Sequence, residues 1–461
     1  MKIFSKFLNL LKNEWPIIFV LLITLPLFFY KLGQTSLLSW DEAWYGSIAK
    51  NILQSGDWLN LVFNNEPYYD HPQAGFWLIA MAIKLFGPSE FVVRLPSALS
   101  GLACLFLVYS VGKELFGKSV GFFAALSLPT SFWFLLRSRS GDLDIFLTMF
   151  FLLSLFLAIK TVKNKYYFYP LVFSLFFLLL IKSVVPFVIF PVLLLIFWNK
   201  GAIRYKEFWI SLAAFLVLFG GWINMQIDLH PDFLKRYLSI GLPQVKAQSS
   251  YSANFALLKE YLHNGIGKWF WPSILSLFLS LFWRQRRFYI LSLFFIIFLL
   301  PFIFSPRGQI WHLIPLYPFM ILALFGFTYV FVNKITTSRR LAILTLLFVF
   351  LSLSFRQIRQ VWYQVVDLPA YITDEAKLSQ EAGKYPYPFY IDGDFLPAAA
   401  FYSEKKVNQT RNFGLPSLFQ NDKPFLLITY DRELENLKAY KDQYQVLKTD
   451  RDKVLILRKV P

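Results

Sequence analysis

The sequence predicts a polytopic α-helical membrane protein of about eleven spans. It also predicts interfacial helices in the first outer loop and a small α/β soluble domain at the C-terminal end. Three observations carry this. Of 461 residues, 56% are hydrophobic and 53 are Phe, while only 16% are charged, against roughly a quarter in soluble domains. Apolar runs such as 171–181 and 291–303 recur too often to be strands of one soluble core. After Arg356 the composition shifts, and the last 106 residues hold 14 of the 28 acids. A soluble enzyme, a disordered chain and a coiled coil are excluded together. The single Cys104 lies in an apolar run, so there is no disulfide framework.

Spans are expected at about 16–32, 95–112, 119–136, 143–159, 166–181, 184–198, 208–226, 271–283, 288–304, 310–332 and 341–355. The 271–283 stretch is short for a crossing of roughly 20 residues, and the two runs meeting at Lys182 also read as one broken pair. With a cytoplasmic N-terminus, the cytoplasmic connections carry 17 Lys/Arg and only three acids, Glu14, Glu114 and Glu207. That is a strong positive-inside pattern, and the first span is expected to serve as an uncleaved anchor. Residues 33–93, 228–270 and everything after 355 then face outward. The formal net charge of +18 does not point to nucleic acid. Residues 1–355 hold 30 Lys/Arg against 14 acids, and residues 356–461 hold 16 against 14, so the excess lies between spans.

In the first outer segment, Ser39 and Glu42 read as a capping box. Trp44, Ile48 and Ile52 then repeat at helical spacing up to Gly56. A second helix is expected from Pro72 through Phe86, ending at Gly87-Pro88. Both are too short to span and read as interfacial helices anchored by Trp40, Trp44, Trp58 and Trp77. The C-terminal part shows strand-like runs at 389–391, 425–429 and 454–457, and a helix-like stretch at 432–440. The expected division is therefore a catalytic membrane domain at 1–355 and an outer soluble domain at 356–461.

Charged residues cluster on the outer side. Asp41-Glu42 opens the first interfacial helix, where the macrodipole favours an ionised carboxylate; capping alone also accounts for Glu42. Asp70-His71 precedes the second helix, His71 as a phosphate or metal contact and Asp70 as a cap. Arg137, Arg139, Asp142 and Asp144 join two spans, where charges are expensive unless paired or facing water. Arg307 is one of few outer-face cations and suits a lipid phosphate, with His312 just inside the next span. His230, Asp232, Lys235 and Arg236 read either as a substrate entrance or as a solvated loop. Asp392-Gly-Asp394 mimics a metal-binding pair, although two acids in a turn are common. No Walker A, GxSxG, HExxH or paired CxxC occurs.

An ordered series of short motifs resembles the GT-C glycosyltransferases of the protein mannosyltransferase-like family (glycosyltransferase family 39), which includes the aminoarabinose transferase of lipid A. The series runs Ser39-Trp-Asp41-Glu42-Ala-Trp-Tyr45, Ser55-Gly-Asp57-Trp58, Tyr69-Asp70-His71-Pro72 with Phe76-Trp77, Lys84-Leu-Phe-Gly87, Arg94-Leu-Pro-Ser97, Ser138-Arg139 and Asp144. The resemblance implies the GT-C fold. It further implies that Asp41 matches the catalytic base, that Glu42 stands beside it, and that Asp144 matches a second acid of the site. It places Asp70, His71, Tyr45, Arg139, Arg307 and His312 around the substrate. Relatives carry Lys or His before a Pro-Pro pair, and here the pair is Pro72-Gln73.

What the resemblance implies for activity is inverting transfer of a sugar from a polyprenyl-phosphate donor to a hydroxyl of a lipid, glycan or protein. The transfer would take place at the outer face of a bacterial inner membrane. No nucleotide is implied, no cofactor is required, and a divalent metal shared by Asp41 and Asp144 stays open. A glycosyl phosphate carries its own leaving group. The chemistry therefore needs one carboxylate to take the acceptor's proton and cations to hold the departing phosphate. Alternative readings are a transporter or flippase of lipid-linked sugars, a lipid-linked oligosaccharide ligase or polymerase, and a non-catalytic scaffold. A transporter predicts ionisable residues deep inside several spans and often repeated halves.

Overall fold

The computed structural model describes residues 2–198, 201–241, 251–303, 309–412, 414–420 and 423–459. The chain forms two compact units. The first comprises 1–30, 69–75 and 97–368, and the second 31–68, 76–96 and 369–461.

The first unit is helical. Among the described residues six helices are long and apolar enough to cross a membrane: Glu90–Leu115, Leu143–Thr161, Lys206–Leu229, Arg286–Ile303, Ile310–Thr336 and Arg339–Val366. A seventh is added if Lys118–Thr130 and Phe132–Ser138, bent by 75°, form one broken span. That bend divides the run expected at 119–136. Pro129 tightens the chain into a 3₁₀ turn at Leu128–Thr130, and Ser131 leaves helical geometry at ψ 122°. Three shorter apolar helices, Asn13–Phe29, Lys165–Leu179 and Val185–Trp198, occupy other expected positions, and so does the 12-residue helix Phe270–Leu281. By length, then, six or seven described helices suffice alone, fewer than the eleven segments expected.

Within this unit Ile310–Thr336 is central, with 78% of its apolar stretch buried, whereas Lys206–Leu229 buries only 11% and turns its side chains outward. Small residues let backbones approach. A Cβ on Gly121 would meet the carbonyl oxygen of Tyr109 at 2.4 Å, and one on Gly112 would meet the Cα of Gly121 at 2.7 Å. Each of the three acids expected near the cytoplasm is paired with lysine. Glu14 takes Lys113, Glu207 takes Lys165 at 2.8 Å, and Glu114 takes Lys160 and Lys163 at 2.7 and 2.6 Å.

The second unit contains the helix Asp41–Ser55, closed by Gly56 in the left-handed region at φ 73°. A tight hairpin follows, β1 (Val62–Phe63) and β2 (Glu66–Pro67), turning on Asn64 and Asn65 at positive φ. Its sheet has five strands in the order β4 (Val407–Gln409), β3 (Phe389–Ile391), β5 (Phe425–Tyr430), β7 (Lys453–Arg458), β6 (Tyr444–Asp450). The first three run parallel to one another, while β7 pairs antiparallel with both β5 and β6. Alternation along β5 sends Leu426 and Ile428 to one apolar layer and Phe425 and Leu427 to the other. The stretch expected as a helix at 432–440 is instead two 3₁₀ turns, Asp431–Leu434 and Lys438–Gln443. So short and charged a segment lacks the apolar face that makes a short helix stable.

The second interfacial helix runs Ala74–Phe86. It begins two residues later than expected because the Ala74 N–H donates to the Leu180 carbonyl at 2.9 Å, outside the helix. Gly87 at φ 80° ends it.

Candidate active site

In the first unit the ionisable groups Asp144, Lys182, His71 and His312 act on one another electrostatically. Asp144 stands in the first turn of Leu143–Thr161, where Asp142 caps the helix by accepting from the Asp144 N–H at 2.8 Å. Lys182 occupies the break between two short apolar helices and donates to Asp144 Oδ1 at 2.6 Å, with both side chains under 10% exposed. A buried charge pair must recover a large desolvation cost, so each partner holds the other in place.

The loop carrying His71 is fastened on both sides. Tyr69 shares a hydrogen bond of 3.1 Å with His230, and the Arg236 guanidinium lies 4.7 Å from the Tyr69 ring centroid. Gln73 accepts from the Trp222 indole at 3.0 Å. His71 as a residue is partly exposed, but its Nδ1 is buried. That burial, reinforced by Lys182, pushes the imidazole down to about 3. At neutral pH His71 therefore offers a hydrogen bond and no positive charge. His312 faces the same group of charges while its Nδ1 accepts from the Gln309 N–H at 3.3 Å.

The neighbouring arginines are engaged with protein. Arg137 pairs with Asp142 and stacks 4.5 Å over the Trp311 ring. Arg139 donates to the carbonyls of Leu27 and Tyr30 at 2.8 and 2.7 Å, which satisfies the C-terminal end of the helix Lys2–Phe29. Arg307 lies outside the described residues.

In the second unit Asp41 is the first residue of its helix and is partly exposed. The expected capping box is absent. The residue before the helix is Trp40, which makes no side-chain cap, and the Ser39 hydroxyl accepts from the Ala398 N–H at 3.4 Å. Glu42 grips Arg94 through both oxygens at 2.8 and 2.9 Å and also accepts from the Leu38 N–H at 2.9 Å. The guanidinium also donates to the carbonyls of Leu32, Thr35 and Ser36. A buried arginine needs a carboxylate more than a helix end does, and the local geometry follows that demand. Tyr45 is buried and packs edge-on against Phe76 with centroids 5.3 Å apart. Asp70, which belongs to the first unit, is exposed.

Among the described residues no three His, Cys, Asp or Glu side chains converge as a metal site. Asp392 accepts from the hydroxyls of Thr410 and Thr429, and Asp394 pairs with Arg411, so both acids hold their own loop. Lys182 is the residue that sequence reasoning passed over. Its signal was available: a lysine inside the apolar stretch Leu178–Phe187 is costly unless it is paired. Arg94 was noted only as part of a motif, and its carboxylate partner lies 52 positions away in sequence.

The helical frame, with charges gathered beside the first turn of one of its apolar helices, fits a membrane glycosyltransferase of the GT-C type. Residues 70–223 match the family described as dolichyl-phosphate-mannose-protein mannosyltransferase. A more particular likeness is to the undecaprenyl phosphate-alpha-4-amino-4-deoxy-L-arabinose arabinosyl transferase 2 of Pseudomonas fluorescens. It is 37% identical over 131 residues, which is 28% of this chain and 22% of that one. An uncharacterized protein of Aquifex aeolicus is 28% identical over 277 residues, covering 58% of this chain and 54% of its own. The chain thus spans about half the length, or less, of these curated relatives.

Solved structures extend the likeness of fold to nearly the whole chain. ArnT from Cupriavidus metallidurans bound to undecaprenyl phosphate superposes with a TM-score of 0.74 at 16% identity, over 96% of this chain and 97% of that one. The Archaeoglobus fulgidus oligosaccharyltransferase gives 0.58 at 13% identity, over 92% and 69%. The resemblance carried by the motif series from Ser39 to Asp144 is borne out, and the fold is the GT-C fold it implied.

Proposed function

We propose that the chain is an inverting glycosyltransferase that moves a sugar from a polyprenyl-phosphate donor to an acceptor hydroxyl of a lipid, glycan or protein. The observation that carries this is the buried Asp144–Lys182 pair with His71 and His312 around it, in a chain whose fold matches ArnT over 96% of its length. The Pseudomonas fluorescens relative is named an undecaprenyl phosphate-alpha-4-amino-4-deoxy-L-arabinose arabinosyl transferase.

Asp41 is the base that takes the acceptor's proton, its ionised form favoured by the helix N-terminus. Lys182, poised by Asp144, meets the developing charge on the departing phosphate. Arg307 adds a second cation, and His71 and His312 supply neutral hydrogen bonds. Glu42 works through Arg94, fixing the turn from which Asp41 projects. Arg139 secures a helix end beside the charged residues, Asp70 contacts the substrate, and Tyr45 supports the Asp41 helix through its packing on Phe76. Attack opposite the phosphate in one step inverts the anomeric carbon. A divalent ion is optional in this scheme.

Eleven spans follow if the four short apolar helices complete the six long ones and the bent pair counts as one further span. The lysine pairs of Glu14, Glu114 and Glu207 support a common cytoplasmic face for three connections, leaving residues 33–93 and 356–461 outside a bacterial inner membrane. A flippase of lipid-linked sugars is the second reading, favoured by the burial of charge among apolar helices.

The deciding experiment incubates purified protein in detergent with radiolabelled polyprenyl-phosphate sugars, with and without EDTA. It compares wild type, Asp41→Asn and Lys182→Met. Loss of donor turnover in Asp41→Asn with donor binding retained supports the transferase and its base. Unchanged turnover in that variant overturns Asp41. Absence of turnover with every donor, together with donor movement in vesicles, favours the flippase.

A further inference from the structure

The second unit holds a polar cleft of about 200 Å³ that the proposed chemistry does not use. Ser47, Lys50, Asn51, Gln54, Asn64, Asn65, Ala400, Glu404, Lys405 and Lys406 line it. Four of these fall at positions 47, 50, 51 and 54 of the helix Asp41–Ser55, the spacing of one helical face. The opposite face, through Ile48 and Ile52, is buried core. A helix that gives one face to packing and a complete polar face to a concave surface is built for a hydrophilic ligand.

The walls are fixed by their own bonds. Lys50 donates to the Phe401 carbonyl at 2.9 Å and pairs with Glu404 at 2.6 Å. Asn64 clasps the backbone of Val407 from both sides, at 2.8 and 2.7 Å. The Lys405 amine is held by the carbonyls of Tyr385 and Tyr387. Asn51 uses its amide hydrogens on the Val62 carbonyl at 2.9 Å. Gln54 and Asn65 have no side-chain partner among the described residues. Among the described residues Lys406 meets only Glu66, at 3.9 Å and with both side chains at least half exposed, a pair that holds weakly and yields readily.

We infer that this cleft binds an acidic saccharide unit. Carboxamides both donate and accept, which matches paired sugar hydroxyls, and Gln54 and Asn65 are left to do so. Three lysines against Glu404 in the lining favour a sugar that carries a carboxylate or phosphate, with Lys406 as its counter-ion. The volume lies below the roughly 300–1,000 Å³ of sites for drug-sized ligands, so the cleft takes one sugar residue. The helical wall of the cleft, Ser47 to Gln54, lies six to thirteen positions beyond Asp41, about 9–20 Å along the helix. The bound unit is therefore set apart from the proposed base. If the transferase reading holds, it is a remote part of the acceptor. The binding itself does not depend on that reading.

The test is saturation-transfer NMR and calorimetry on the full chain in detergent, with galacturonic acid, galactose 6-phosphate and galactose as probes. Wild type is expected to bind both acidic sugars in the millimolar range and galactose at least fivefold more weakly. Lys406→Ala is expected to erase that preference, and Gln54→Ala to weaken all three probes. Both residues are exposed, and both variants are expected to keep the melting temperature of wild type in detergent, so loss of binding cannot be loss of fold. Absence of saturable binding, equal binding of galactose, or binding unchanged in both variants overturns the inference. Turnover lost in Asp41→Asn bears on the other proposal alone.

Discussion

At the scale of single residues, the most demanding contact in the second unit is Arg94 with Glu42. Their side chains are 5% and 3% exposed, so removing either charge strands the other away from water. Breaking such a pair costs about 3–5 kcal/mol. Glu42→Gln is expected to lower the melting temperature measured by intrinsic fluorescence in detergent, and the protein that stays folded is expected to bind donor but turn it over more slowly, because the turn that presents Asp41 loosens. A folded Glu42→Gln protein with wild-type turnover would instead remove Glu42 from the positioning of Asp41. His71 gives a pH prediction. Its imidazole is pushed down to about 3 in the folded chain from an ordinary 6.5. Between those values the unfolded chain binds the extra proton, so stability falls as pH drops from 6.5 toward 3. His71→Asn is expected to flatten that decline in melting temperature over pH 4–7. It should leave the shape of the turnover profile between pH 6 and 8 unchanged.

At the scale of elements, glycine marks where helices meet, and the neighbour decides the cost of change. A Cβ at Gly121 would strike backbone atoms of Tyr109 and Lys113, whereas one at Gly101 would strike the ring of Phe28 and the hydroxyl of Ser138. Side chains move and backbones do not. Gly121→Ala is therefore expected to destabilise the protein by more than the roughly 1–3 kcal/mol of ordinary overpacking, and Gly101→Ala by less, compared by thermal unfolding of matched preparations. Much at this scale was legible. The apolar runs located most of the long apolar helices to within a few residues, although the last, expected to end at 355, runs on to Val366, and Gly56 and Gly87 marked two helix ends. The break at Ser131 was not legible, because proline at position 129 sits at the end of a run that composition alone treats as continuous. Nor was the fate of Glu42. A four-residue capping signature looks the same whether its acid serves the helix end or an arginine 52 positions away.

At the scale of the whole molecule, the positive-inside pattern sets the expected orientation. A periplasm-dependent reporter such as alkaline phosphatase, fused after Lys459, is expected to be active, and a fusion in the 199–205 connection inactive. The reverse result would invert the proposed topology. The organisation into units was the least legible feature. Composition changes after Arg356, yet the second unit also takes in 31–68 and 76–96. Its ties are long-range in sequence: Tyr402 donates to Glu90 at 2.9 Å, Ser36 bonds Thr373, and Gly46 leaves room for the Phe401 ring. The chemistry was legible in part. Asp144 and His71 stand among charges as their spacing suggested. Arg139, expected around the substrate, also closes a helix end through the carbonyls of Leu27 and Tyr30, which carry no sequence signature.

The stitching of the second unit from distant stretches has a consequence for how the protein is made. Residues 31–68 and 76–96 leave the ribosome early, but their partners beyond 369 follow only after the 272 residues 97–368. At about 5–20 residues per second, that is a wait of roughly 14–54 s. During it, the Glu42–Arg94 clamp can form from what has already been synthesised, as can the hairpin of β1 and β2. The face of the Asp41–Ser55 helix that will pack on Phe401 meanwhile stands uncovered. A holding factor, or a membrane surface to rest on, is what such a nascent segment needs until the last hundred residues arrive to close over it.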